Sequence, residues 1–144
     1  VLLFRQAEDR HHPVEIRLPE EQVVLMVDPI LIRHALFNLL LNAAQAASGD
    51  DPIVITLEAE ADPDTQAQGW TLAVTDRGAG IAPDVLEKIF VPFFTTRSDG
   101  TGLGLPVVQH VALLHGGHVS ASSEPDNGTR FALWLPMAPT PKSA

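Results

Sequence analysis

The chain has 144 residues, one domain's worth, and 45% hydrophobic content is enough to bury a core. No apolar run approaches the roughly 20 residues that span a bilayer, and no charged leader or cleavage pattern marks the start as a signal peptide. Cysteine is absent, which removes disulfides, thiolate metal sites and a thiol nucleophile. Net charge is −9 with nine scattered Lys and Arg, so no basic patch suits nucleic acid, and an anionic ligand would need local positive potential from backbone N–H groups, a metal or a few arginines.

In chain order, "VEIRL" (Val14–Leu18) and "VVLMV" (Val23–Val27) alternate around "PEEQ" and predict a strand pair. "DPILIRHALFNLLLNAAQAAS" predicts a helix of about five turns, with Asp28 as N-cap and Pro29 at the first position. "PIVITLEAE" and "GWTLAVTD" predict a hairpin across "ADPDTQAQ", and "APDVLEKIF" a short helix entered through Pro83. "LGLPVVQHVALLHGG" predicts a longer helix stopped by Gly116 and Gly117. The last strand pair flanks "PDNG", where Asn127-Gly128 is a hairpin signal, and "APTPKSA" predicts a frayed tail. Strands and helices mix without strict alternation, which predicts one sheet with helices on one face, a two-layer α/β sandwich.

Three stretches carry chemistry. His34, Asn38, Asn42 and Gln45 share one stripe of the long helix, while Leu31, Leu36, Leu39, Leu40 and Ala43 can reach the core. Asparagine is a poor helix former. The stripe is either a solvated polar face or a set of amide oxygens for a hard cation beside phosphates. "TDRGAGI" (Thr75–Ile81) ends a strand on Asp76, followed by Gly78 and Gly80. It reads as an Asp-containing turn, or as a carboxylate that accepts from a base amino group while the glycines let backbone approach a flat ring. "FVPFFTTRSDGTGLGL" (Phe90–Leu105) sets an aromatic cluster against Gly100, Gly102 and Gly104. It lacks the Lys-Ser/Thr ending of a P-loop. Glycines running into a helix with Pro106 in its first turn expose N–H groups and the positive dipole end, an anion site. Thr95, Thr96 and Arg97 are either ordinary loop polarity or extra donors to a terminal phosphate. The histidines show no metal-ligand spacing. His11 and His12 predict surface positions, and His115 a capping role at a helix end.

Together these pieces resemble the catalytic and ATP-binding domain of bacterial two-component sensor histidine kinases, of the Bergerat superfamily shared with gyrase, the ninety-kilodalton heat-shock chaperone and mismatch-repair ATPases. "HALFNLLLNAAQA" resembles the N box, "DRGAGI" the G1 box, "FVPFFTTR" the F box and "GTGLGL" the G2 box, in order and over roughly Val1 to Pro136. The resemblance implies a mixed, mostly antiparallel sheet of about five or more strands with about three helices on one face. It implies ATP and Mg²⁺ as cofactors, with Asn42 as metal ligand and Asn38 assisting. Asp76 would read the adenine amino group, and Gly78 and Gly80 would shape its pocket. Gly100, Gly102 and Gly104 would cradle phosphates, and Thr129 would reach the adenine side. Gln45, Ile81, Phe90, Thr95, Thr96, Arg97, Thr101, Leu103 and Leu105 complete the expected ATP-binding set. Phe90, Phe93 and Phe94 would anchor a glycine-flanked lid. Its brevity, Arg97-Ser98-Asp99 between the boxes, and "NAAQAA" resemble the nitrogen-regulation branch.

Two departures matter. Gln45 and Ala46 stand where many relatives carry a basic residue then an aromatic, so Arg97 is expected to take over that phosphate contact. Asn38 stands where the gyrase-like branch has a water-activating glutamate, so ATP is expected to be kept for transfer, with Asn38 and Arg97 as the catalytic pair. None of the six histidines stands in an H-[ED]-x-[RK]-N-P context. The phosphoacceptor is thus expected on a separate dimerisation domain, with a response regulator downstream. The expected organisation is one ATP-binding domain over 1–137, of which 1–12 are linker, and a disordered tail over 138–144. It is expected to be monomeric in isolation, cytoplasmic and without direct membrane contact. Two other functions stay open: a nucleotide-gated binding module without transfer, and an anti-sigma-type serine kinase.

Overall fold

The computed structural model describes residues 13–47, 51–92, 104–124 and 127–137. Five strands form one sheet: β1 (Val14–Arg17), β2 (Ile53–Ala61), β3 (Gln68–Asp76), β4 (His118–Glu124) and β5 (Gly128–Pro136). Their spatial order is β1-β2-β3-β5-β4, parallel for β1 with β2 and antiparallel elsewhere. Among the described residues three helices accompany it: α1 (Pro29–Ala46), α2 (Pro83–Leu86) and α3 (Gly104–Leu114). This is the expected mixed two-layer sandwich.

Each helix is bounded by local chemistry. Asp28 caps α1 through Oδ1, which accepts from Ile30 N–H at 2.9 Å and Leu31 N–H at 3.2 Å, with Pro29 following. Past the end of α3, Gly116 adopts φ +73°, its N–H reaches Leu113 O at 3.1 Å, and Gly117 N–H reaches Ala112 O at 2.8 Å. This paired closure satisfies two terminal carbonyls and needs a residue tolerant of the left-handed region. Regular helix in α2 lasts one turn, and the chain beyond it continues through shorter bonds, Lys88 N–H to Val85 O and Val91 N–H to Lys88 O.

Strand alternation decides which side faces the helices. Ile55, Val74, Phe131 and Ala121 lie in one row across β2, β3, β5 and β4, and Leu57, Leu72, Leu133 and Val119 in the next. Against these rows pack Ala35, Leu39, Leu40 and Ala43 of α1 and Val108, Val111 and Ala112 of α3. Burying a leucine such as Leu39, fully enclosed here, is worth about 1.5–3 kcal/mol. On the other face Trp134 donates from Nε1 to Glu60 O at 2.9 Å, and the His118 ring stacks on it at 5.1 Å.

The expected pairing of 14–18 with 23–27 does not form. β1 pairs instead with β2, Val14 opposite Ile53 and Arg17 opposite Thr56, and residues 23–27 are extended but in no ladder. Their alternation is nonetheless real: Val23, Leu25 and Val27 are half-buried while Val24 and Met26 are exposed. The segment lays one face on the core without strand partners, which periodicity alone cannot distinguish from a strand.

Candidate functional site

The most buried carboxylate among the described residues lies at the C-terminal end of β3. Asp76 is 2% exposed and Thr129, opposite it on β5, is 3% exposed. Ser123 of β4 lies opposite Thr129 in turn. Alternation puts all three on the helix-facing side, two residues along each strand from the apolar row of Val74, Phe131 and Ala121. The core therefore ends in a polar row. A buried carboxylate is tolerable only where donors meet it, and Asp76 Oδ1 accepts from Gly78 N–H at 2.8 Å.

That bond starts a tightly held turn. A Cβ at Gly78 would lie 2.7 Å from the Ala46 carbonyl carbon and 2.9 Å from Asp76 Oδ1, so the turn passes directly over the end of α1. Gly80 takes φ +78°, the left-handed region that favours glycine. Ile81 N–H then donates to Ser123 Oγ at 2.7 Å, returning the chain to the sheet. Gly78 is buried, while Gly80 and Ile81 are half-buried at the mouth.

Asn38 and Asn42 of α1 approach from the helix layer. Asn38 Nδ2 donates to His34 O and Asn42 Nδ2 to Asn38 O, each at 3.0 Å. Since a carbonyl only accepts, each amide must turn its nitrogen inward and its oxygen away from that carbonyl. A Cβ at Gly104 would lie 3.2 Å from Asn38 Oδ1 and 3.9 Å from Asn42 Nδ2, so α3 begins against this amide pair. Gln45 lies one turn further along α1, half-buried. Leu105 and Phe90 are half-buried and packed against the core.

The structure thus brings Asn38, Asn42, Asp76, Gly78, Gly80, Ile81, Gly104 and Thr129 around the junction of α1, the start of α3 and the end of β3. Phe93, Phe94, Thr95, Thr96, Arg97, Gly100, Thr101, Gly102 and Leu103 lie outside the described residues, as do the proposed linker and tail. Among the described residues no group of three His, Asp or Glu is placed to hold a metal. Oxygen ligands at this junction would come from amides. Remote from this junction, at the other end of the β2–β3 hairpin, the Asp62 carboxyl is held below its ordinary value of 3.8 chiefly by the Asp64 N–H.

Sequence reasoning missed one residue and the long-range partner of another. Ser123 carried a signal, a hydroxyl at an inward position of an alternating strand. His115 does more than cap: its Nδ1 bonds Val111 O at 2.8 Å and its Nε2 accepts from Asp28 N–H at 2.9 Å. The two partners set the ring's roles, Nε2 accepting and Nδ1 donating. That ring ties the end of α3 to the start of α1, 87 positions away in sequence.

Comparison with known proteins places this arrangement. The model of the histidine kinase-, DNA gyrase B- and HSP90-like ATPases matches residues 27–139. The sensor histidine kinase ZraS of Escherichia coli O157:H7 is 43% identical over 125 residues, covering 87% of this chain and 25% of that protein. The chain spans about a quarter of the length of the relatives it matches. The solved catalytic domain of the histidine kinase ThkA superposes with TM-score 0.77 at 27% identity, covering 95% of this chain and 91% of that domain. Full-length ShkA, solved in complex with AMPPNP, gives TM-score 0.78 at 26% identity, covering 96% of this chain and 28% of ShkA. No helix among the described residues is long and apolar enough to cross a membrane.

Proposed function

The chain belongs to the histidine kinase-, DNA gyrase B- and HSP90-like ATPase family, and on that premise we propose that it binds Mg-ATP at the junction of α1, α3 and β3 and donates the γ-phosphoryl group to a histidine on a separate phosphoacceptor domain. The observation that carries the reading is the convergence of three sequence-distant boxes: the buried Asp76 with its turn, the amide pair on α1, and the N-terminus of α3.

Each element has a task in this reading. Asp76 accepts from the exocyclic amine of adenine, while the Gly78–Gly80 turn supplies a wall without side chains. The start of α3 offers backbone N–H groups and the positive end of its dipole to phosphates, the local potential that a chain of net charge −9 needs. Asn38 and Asn42 fit Mg²⁺: they present neutral oxygens that take a hard cation without adding negative charge beside phosphates. The ion, when bound, would neutralise charge on the transferring group. α1 carries an amide at position 38, so no carboxylate there activates water, and the γ-phosphoryl is kept for a nucleophile from the partner domain. Arg97, with Thr95 and Thr96, would add donors to the terminal phosphate, and Gly100 and Gly102 would extend the cradle begun at Gly104. A dimerisation domain bearing the acceptor histidine and a response regulator are the partners this chemistry requires.

The test is calorimetric titration of ADP and AMPPNP, with and without Mg²⁺, on the chain and on Asp76→Asn. The expected result is binding that depends on Asp76, with triphosphate affinity raised by Mg²⁺. Incubation with ATP and a histidine-bearing acceptor domain should then give an acid-labile phosphate on the acceptor. Binding indifferent to Asp76 would overturn the pocket, and an acid-stable phosphoserine product would overturn the transfer.

A further inference from the structure

Ser123 has its hydrogen-bonding capacity fully used, and this fixes the polarity of its neighbour. A serine hydroxyl has one proton and two lone pairs. Ser123 Oγ lies 3.0 Å from Gly128 O, which can only accept, so its proton goes there. One lone pair takes Ile81 N–H at 2.7 Å. The remaining contact, 2.9 Å to Thr129 Oγ1, must then run from Thr129 to Ser123. The Thr129 proton is committed away from β3, and what its hydroxyl can turn toward Asp76, its partner across the β3–β5 ladder, is lone pairs.

We infer that Ser123 is a specificity-determining positioning residue: by holding the Thr129 hydroxyl as an acceptor on the same row as the Asp76 carboxyl, it makes that row select a C6 substituent that donates, an amino group, over one that accepts, an oxo group. The inference rests on the reading of Asp76 as the base-recognising carboxylate. Without Ser123 the Thr129 proton would turn to the acceptor opposite it, the Asp76 carboxyl oxygen across the ladder. It would then occupy a lone pair that the amine uses and weaken the carboxylate as an acceptor. Ser123 also anchors Ile81 N–H, so one hydroxyl sets both the entrance of the turn and the hydrogen-bond polarity of the row. Sites built to hydrogen-bond a particular donor reject analogues lacking it far more strongly than apolar pockets reject a change of size.

The experiment measures the ratio of ADP to inosine diphosphate affinity for the 144-residue chain and its variants, with melting temperature alongside. The unsubstituted chain should favour ADP. Ser123→Ala should shrink the ratio by about tenfold, and Ser123→Thr, which keeps the hydroxyl, should restore most of it. On a Thr129→Val background Ser123→Ala should no longer change the ratio, because the proton it controls is gone. If Ser123→Ala fails to fold, Ser123→Cys keeps the volume with a weak donor and is read the same way. Equal loss of both affinities with the ratio intact would make Ser123 a merely structural clamp and overturn the inference. A chain that binds neither nucleotide, or whose ratio is indifferent to Asp76→Asn, would overturn instead the base-recognition reading beneath it.

Discussion

Gly78→Ala tests the geometry at its tightest point. The added methyl would overlap the Ala46 carbonyl oxygen outright, lie 2.7 Å from its carbon, about 0.7 Å short of the 3.4 Å where ordinary contact begins, and 2.9 Å from Asp76 Oδ1. Both obstacles matter, since Ala46 is backbone at the end of a packed helix and Asp76 is buried in the sheet. Neither can swing aside as an exposed side chain would, so the turn itself must lift. Overpacking of this kind costs about 1–3 kcal/mol. For a chain of this length that lowers the melting temperature by about 3–10 °C. Lifting the turn also lengthens the 2.8 Å bond from Gly78 N–H to Asp76 Oδ1, so ADP affinity should fall together with stability. Gly116→Ala is the matched control. That glycine has φ +73° and its nearest prospective neighbour is Pro136 Cγ at 3.8 Å, so the substitution meets conformational strain of about 1–2 kcal/mol without a clash. It should lower the melting temperature and leave ADP affinity unchanged. Differential scanning calorimetry and ADP titration on both variants decide the matter. A Gly78→Ala variant that melts and binds like the unsubstituted chain would refute the contact between the turn and α1.

Asn42→Ala removes one of the two amides facing the start of α3, and should reduce the Mg²⁺-dependent gain in AMPPNP affinity by about tenfold while leaving metal-free ADP binding nearly intact. Paired titrations with and without Mg²⁺ measure it. His115→Phe removes the acceptor for Asp28 N–H and should lower stability by about 0.5–1.5 kcal/mol in urea denaturation; an unchanged midpoint would show that the tie between α3 and α1 contributes nothing. Asp62, with a folded value held below 3.8, binds its proton less readily when folded than when unfolded. Its contribution is therefore present above that unfolded value and lost as pH falls through the lower folded one. Melting curves of Asp62→Asn and the unsubstituted chain should differ at pH 6 and converge as pH drops below 3.8.

Much of the fold was legible because its signals are local. Asp28 followed by Pro29 marks a helix start whatever surrounds it, and Gly116 marks a stop because φ +73° is strained for most other residues. Both long hairpins follow from alternating runs separated by turn residues. The candidate site was legible for a related reason. Amides in mid-helix, glycines at spacing two after a strand-end aspartate, and glycines opening a helix each break a local preference that packing alone would not break.

Partnership is what only the tertiary structure decided. Val14 pairs with Ile53 rather than with the nearer run at 23–27. Alternation reports which face of a segment is buried, and says nothing about which neighbour takes its backbone hydrogen bonds. The same limit hid the polar row. Asp76, Ser123 and Thr129 come from three strands, and their shared end of the sheet exists only once the β3-β5-β4 register is set. His115 and Asp28 meet for the same reason, across 87 positions, when α3 is laid against α1. Sequence by itself determined where the helices and hairpins lie, which face of a segment is buried and which residues break the local rules. The fold determined which of those rule-breaking groups face one another, because contact between distant segments depends on the packing of the whole core.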